Sequence, residues 1–331
     1  MLRRLAEGAT AEVYEAIHVG LGKRFVVKLL KPEFTADARA LERMRFEAQT
    51  LGRLSHVNIP TVSDCGLTAC GRPFFVMERL DGHTLLVELR RRGSLPPVEA
   101  VGLVQQLCTG LAAAHALGIV HRDLKLENLF LGDPEGLRTL KILDFGIAKL
   151  LPDADPAGAP APPAIPSQEG VPLGTLQFLS PEQVLCRPVD TRTDVYGAAT
   201  VLYELLVGGS PFAHRTDILS LLEAHVSEPP RPPSEVAAQP IEPALDDVIV
   251  RALSKRPEDR YASAAAFSAA LEHALTMKPP AEPAPTPEPQ ATPRRAELLE
   301  PLGATRLIVL VVVGAAVVSV IVTSLLGELR W

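Results

Sequence analysis

The sequence predicts an α+β fold of two lobes, a small β-rich lobe followed by a larger helical one. Three observations carry this. Residues 11–30, AEVYEAIHVGLGKRFVVKLL, alternate and then run apolar, the pattern of paired strands. Residues 98–117 set Val101, Val104, Leu107, Leu111 and His115 along one side of a helix. Asp194 to Val207 is apolar almost all round, which suits a helix buried in a larger body. With 331 residues, 47% of them hydrophobic, the chain can bury a sizeable core.

The elements follow in order. A β-hairpin is expected over residues 11–30, with its turn near Gly20–Lys23. Only Met1–Arg4 precede Leu5, so the first strand is expected to be cut short and to leave an unpaired edge. DARALERMRFEAQTLGRL, residues 37–54, carries Leu41, Met44, Ala48, Leu51 and Leu54 at helical spacing. Strands are expected around Thr61–Cys65 and Phe74–Glu78, then a connector at 78–82, with a helical pattern from Gly82 onward. The small lobe therefore covers about 1–78 and the large lobe 83–276.

Residues 277–305 differ in kind. MKPPAEPAPTPEPQATPRRAELLEP has too little apolar content for a core, and its prolines favour an extended tether. Fully extended, it reaches about 90 Å at roughly 3.1 Å per residue. Leu307–Leu326, LIVLVVVGAAVVSVIVTSLL, contains no charged residue. Such a helix rises about 30 Å, the thickness of a hydrocarbon core. A transmembrane helix is expected over 306–326, with a short exterior tail at 327–331 ending in Trp331 at the far interface. Arg294, Arg295 and Arg306 precede the span and only Arg330 follows it, which places the large N-terminal part in the cytoplasm. The expected location is thus the cell (inner) membrane, crossed once. Small residues at Gly314, Ala315, Ala316 and Ser319 offer a face for a homodimer.

Several function classes fall away. A net charge of −6 argues against nucleic acid as a partner. Cys65 and Cys70 have no second Cys or His pair at metal-ligand spacing, which argues for reduced thiols and against zinc. Met1–Glu12 is charged and without an apolar core, so no secretory leader is expected there.

The chemistry gathers in HRDLKLEN, residues 121–128, and LDFG, residues 143–146. Upstream stand VVK at 26–28 and Glu47 on a predicted helix; downstream come GTLQF at 174–178 and SPEQ at 180–183. Any one of these is a weak signal. Together, in this order, they closely resemble the eukaryotic-like serine/threonine protein kinases, a family widespread in bacteria. The resemblance covers about residues 1–275 and implies the two-lobed protein kinase fold, with ATP, Mg²⁺ (or Mn²⁺) and protein substrates as partners.

Phosphoryl transfer needs positioning and charge neutralisation more than covalent help. By the resemblance, Asp123 orients the substrate hydroxyl and Lys125 reaches the transferring phosphate. The D-x-K form is that of serine/threonine-directed members. Asn128 and Asp144 hold the metal, both through hard oxygen ligands. Lys28 pairs the α- and β-phosphates, with Glu47 as its ion-pair partner. LAEGATAEVY, residues 5–14, aligns with the glycine-rich loop as Ala6, Gly8 and Ala11, with Glu7, Ala9 and Thr10 between them. Alanine fits the outer two positions only where φ is negative, which implies a stiffer phosphate flap. Leu5, Val13 and Val26 would roof the adenine and Phe130 would floor it. Met77 stands at the gatekeeper place, and backbone groups of Glu78 and Leu80 would bond the adenine edge. Glu182 and Arg260 are expected to form a structural ion pair, and Asp194 to brace the catalytic loop.

Two other readings share these residues. A membrane-tethered pseudokinase scaffold would explain Ala6 and Ala11, but the intact Lys28, Glu47, Asp123, Asn128 and Asp144 oppose it. A small-molecule phosphotransferase of the aminoglycoside-kinase type would lack the segment holding Thr175 and Ser180–Glu182. Regulation is open at this level. In the loop from Ile147 to Thr175 the hydroxyl available for phosphorylation before Thr175 is Ser167. Alternatively no phosphate is needed, and Glu169, Asp153 or Asp155 pairs Arg122.

Overall fold

In the computed structural model, which describes residues 1–8, 10–132, 138–144 and 176–276, the alternating segments become one antiparallel sheet. Its strands β1 (Arg3–Glu7), β2 (Ala11–Ile17), β3 (Arg24–Leu30), β4 (Val62–Leu67) and β5 (Pro73–Glu78) lie in the order β1-β2-β3-β5-β4. The expected hairpin is β2–β3, paired from Ala11 opposite Leu30 to Ile17 opposite Arg24. Its turn closes with a His18 carbonyl that accepts the Gly22 N–H, and Gly22 sits at φ 64, where a side chain would be strained. β1 forms over five residues and pairs with β2, with every residue exposed.

Between β3 and β4 runs α1 (Ala38–Arg53), which buries Ala40, Met44, Ala48 and Leu51 against β4 and β5. The apolar spacing read in the sequence is the face that packs, although Leu41 lies only at its margin.

The segment after Gly82 departs from expectation. Gly82–Thr84 is first a short strand, β6, and the helix α2 (Leu85–Arg92) begins only at Leu85. β6 pairs with β7 (Leu129–Gly132), and β7 with β8 (Thr139–Ile142), a second sheet that the sequence reading missed. Glycine is required at the join: Gly82 has φ 147, and a Cβ there would overlap the Leu131 carbonyl oxygen.

The large lobe is built on α3 (Pro97–His115), predicted over 98–117 and ended earlier by Gly118 at φ 75. After a short helix α4 (Pro181–Val184) comes α5 (Thr191–Val207), where every residue from Thr193 to Tyr203 is buried. Asp190 caps α5 by accepting the Arg192 N–H at 2.8 Å. α6 (Ile218–Ser227), α7 (Pro243–Ala252) and α8 (Ala264–Thr276) complete it, with α8 packed on α3, α5 and α7. A continuous core links the lobes, from Leu30, Met44 and Phe75 through Leu107 and Leu126 to Val201 and Phe267. Among the described residues no helix is long and apolar enough to cross a membrane. The expected linker, span and tail lie outside the described residues.

Candidate active site

The loop joining α3 to β7 is set by one buried carboxylate. Asp194, in the first turn of α5, accepts the backbone N–H of His121 at 2.8 Å and of Arg122 at 2.9 Å. His115 Nε2 lies 2.7 Å from the same carboxylate. These bonds hold Arg122 at φ 65, a left-handed conformation that costs a non-glycine residue on the order of 1–3 kcal/mol. Gln183 Nε2 fastens the loop from the other side by donating to the Arg122 carbonyl at 2.7 Å. The bracing expected of Asp194 is therefore present.

His121 is fully buried, and burial pushes its pKa below the usual range, so the ring is neutral. Its Nδ1 accepts the Asp123 N–H at 3.3 Å, and so Nε2–H donates to the Leu143 carbonyl at 3.1 Å. One ring thus ties the Asp123 loop to the segment that presents Asp144. A second tie runs from the Leu143 N–H to the Asn128 carbonyl at 2.7 Å.

Around Asp123 the polar groups converge. Asn128 Nδ2 donates to the Asp123 carbonyl at 2.9 Å and to its Oδ2 at 3.2 Å. Lys125 Nζ lies 3.3 Å from the same Oδ2. Across the cleft, Lys28 on β3 donates to Glu47 Oε1 on α1 at 2.7 Å and to Asp144 Oδ1 at 2.9 Å. Burial works against the Lys28 charge, but the Glu47 and Asp144 carboxylates outweigh it and hold its pKa above the usual lysine range. Burial raises the Glu47 pKa, while the neighbouring Lys28 charge holds Asp144 below the usual carboxylate range. Asp144 itself sits at φ 46.

The structure brings together Lys28 with Glu47 and Asp144, and Asp123 with Lys125 and Asn128. The remaining expected residues lie as follows. Ala6 is opposite Val13, Val13 opposite Lys28 and Val26 opposite Met77 in the small sheet. Phe130 lies on β7 opposite Thr84, Leu80 follows β5 half-buried, and Leu5 is exposed. Ala6 and Ala11 avoid positive φ, as alanine requires. Gly8 also avoids it, and a Cβ there would meet only the Ala11 carbonyl oxygen, at an ordinary 3.4 Å. Among the described residues, neither the backbone nor a neighbouring atom dictates glycine at 8. Glu7 reaches Lys31 at 2.9 Å and pins the loop from outside. Thr10 accepts the Lys31 N–H through its carbonyl, and Ala9 lies outside the described residues. So do Thr175, Ser167 and the loop that carries them.

One residue does more than the sequence reading gave it. The Glu78 side chain accepts the Thr61 N–H at 2.8 Å and the Lys141 ammonium at 2.6 Å, which ties β5 and the chain before β4 to β8. A lone lysine in the strand TLKI was the available signal. Further down, Arg260 meets Glu182 in a two-pronged pair, 2.8 Å at each prong, and Thr193 Oγ1 donates to the same carboxylate at 2.6 Å.

The protein kinase domain model matches residues 1–275. The chain belongs to the protein kinase family. This kinase chain is 41% identical over 276 residues to serine/threonine-protein kinase Pkn1 of Myxococcus xanthus, covering 83% of this chain and 38% of that protein. It is 36% identical over 282 residues to serine/threonine-protein kinase PknB of Mycobacterium leprae, covering 84% of this chain and 43% of the relative. The kinase chain thus spans about two fifths of the length of these curated relatives. The crystal structure of the Mycobacterium tuberculosis PknI kinase domain superposes with a TM-score of 0.61 at 27% identity, over 82% of this chain and 94% of that one. The two-lobed kinase fold follows from both.

Proposed function

We propose that the chain is a membrane-anchored serine/threonine protein kinase, transferring the ATP γ-phosphate to protein hydroxyls in the cytoplasm. The observation that carries the kinase reading is that Asp144, held beside the Asp123–Asn128–Lys125 cluster, reaches the Lys28–Glu47 pair of the small lobe; the anchor rests on the apolar run Leu307–Leu326. Residues 1–276 form the catalytic domain in this reading, with the hinge at 78–82, a linker at 277–305, the span at 306–326 and the tail at 327–331.

The donor set fits a hard divalent cation. Asn128 spends its amide N–H groups on Asp123, and its Oδ1 is the neutral acceptor that the metal would take. Asp144 supplies a carboxylate held ionised by Lys28. Amide and carboxylate oxygens suit Mg²⁺ or Mn²⁺. When bound, the ion supplies charge neutralisation at the phosphates. The protein groups do the rest. Lys28 holds the nucleotide phosphates, Asp123 orients the attacking hydroxyl, and Lys125 faces the transferred group. Glu78 acts through its carbonyl, since its N–H is engaged by the Thr61 carbonyl at 3.0 Å, and Leu80 acts through its backbone. Leu5, Val13, Val26, Met77 and Phe130 enclose the base, and residues 6–11 cover the phosphates.

The decisive test is autophosphorylation of the purified chain with ATP and Mg²⁺ or Mn²⁺, beside Asp144→Asn. Incorporation by the native chain and none by the variant is expected. Equal silence from both, with nucleotide still bound, would establish a scaffold instead.

Two further outcomes follow from the same reading. Ala6→Gly with Ala11→Gly should leave activity intact and change nucleotide KM within about tenfold, near 1.4 kcal/mol, because neither alanine is strained. Steady-state kinetics checks this. Deleting 306–331 should move the chain from the membrane to the soluble fraction with its activity kept, since the proline-rich tether separates the two. Fractionation and assay of the truncated chain decide, and an inactive soluble product would make the span more than an anchor.

A further inference from the structure

The hinge end of the small sheet carries an apolar tip beside a group of cations. The turn after β2 exposes Val19 at 96% and Leu21 at 71%. Neither is needed by the turn, which is closed by the His18 N–H to the Lys23 carbonyl at 2.9 Å and by Gly22 at φ 64. Strand register brings charges to the same end. Arg3 lies opposite Glu15, and Arg24 opposite Ile17. The Glu15 side chain is buried and accepts Arg3 at 2.9 Å, Arg24 at 3.1 Å and Arg79 at 2.8 Å. One carboxylate therefore serves three guanidinium groups. Asp81 answers Arg79, while Arg3 and Arg24 keep 66% and 56% of their side-chain surface in solvent. Lys23, also exposed, adds a further cation.

We propose that this corner docks on an anionic lipid surface, with Val19 and Leu21 entering the headgroup region and Arg3, Lys23 and Arg24 meeting the lipid anions. Protruding aliphatic side chains beside cations that one shared carboxylate compensates only in part are the complement of such a surface. In this the inference rests on the membrane-anchored reading, under which residues 277–305, at most about 90 Å when fully extended, would keep the lobes near the bilayer, where a weak surface contact suffices. A second copy of the chain fits the tip less well, since two such corners would set like charges face to face.

The test uses the full chain in nanodiscs at one copy per disc, in phosphatidylcholine alone and with phosphatidylserine added. Hydrogen exchange of the peptide covering 17–24 should slow severalfold with phosphatidylserine. The protection should disappear at high salt and in Val19→Glu with Leu21→Glu. Autophosphorylation of that variant in detergent should be unchanged, which shows it is folded. Equal exchange in the two lipids overturns the proposal, and protection that appears only with two copies per disc assigns the tip to self-association. If the chain does not enter discs, the anchor reading fails by itself. The same chain is then pelleted with free vesicles of the two compositions: phosphatidylserine-dependent pelleting lost in the variant supports the docking corner, and none overturns it.

Discussion

Asp123→Asn should lower kcat by roughly a thousandfold while nucleotide affinity stays near its native value. A positioned carboxylate contributes about 10²–10⁴-fold in proton transfer, and asparagine keeps the shape but not the basicity. The surrounding loop should survive, because Asn128 would still donate to the residue 123 carbonyl, now at 2.9 Å, and Asp194 would still hold the two N–H groups before it. Lys28→Ala should instead damage binding and turnover together. It removes the cation shared by Glu47 and Asp144 and leaves two carboxylates facing each other with nothing between them. Phosphate-transfer kinetics with a separate nucleotide titration would distinguish the two patterns. Losses below tenfold in both variants would remove the catalytic reading of the cleft.

Arg260→Ala should be the most destabilising single change in the large lobe. Its guanidinium is fully buried and meets Glu182 through both prongs. It also donates to the carbonyls of Ser254, Arg192 and Lys255. Removing one partner of a buried pair costs about 3–5 kcal/mol, because the other charge is stranded. At roughly 2–4 °C per kcal/mol for a domain of this size, the melting temperature should fall by about 10 °C. Replacing Glu182 and Arg260 together by apolar residues of similar volume should recover much of the loss. Thermal unfolding of the single and double variants measures both, and a shift under about 2 °C for the single change would mean the pair is replaced by water.

How legible these features were depends on the reach of each signal. The β2–β3 hairpin, α1 and α3 could be read because their periodicity runs over many residues, and α5 because it is apolar almost all round over a helix's length. β6, β7 and β8 could not, since strands of three or four residues are too short to show an alternation. The site divides in the same way. Nothing in a separation of 19 residues marks Lys28 and Glu47 as partners, and only the family motifs pointed there. The Lys28–Asp144 contact spans 116 positions and went unanticipated, as did Glu78–Lys141 across 63. Such pairs exist only once the small lobe folds over the large one. Asp194 was likewise legible as a brace only through the family motifs, since its helix also carries Arg192 and Glu204 and nothing local sets Asp194 apart.

The Glu78 carboxylate changes how the joint between the lobes responds to force. A covalent hinge of three residues, Arg79 to Asp81, would swing freely if nothing else crossed it. Lys141 and the Thr61 amide instead fasten Glu78 on either side of the pivot, so that opening stretches an electrostatic spring. The stiffness of that spring depends on the solvent. Both side chains keep some contact with water, 17% for Lys141 and 32% for Glu78, so mobile ions reach the pair and shorten the range of its attraction. Raising the ionic strength is therefore expected to weaken this tie, while the Lys28–Asp144 contact and the shared core still join the lobes.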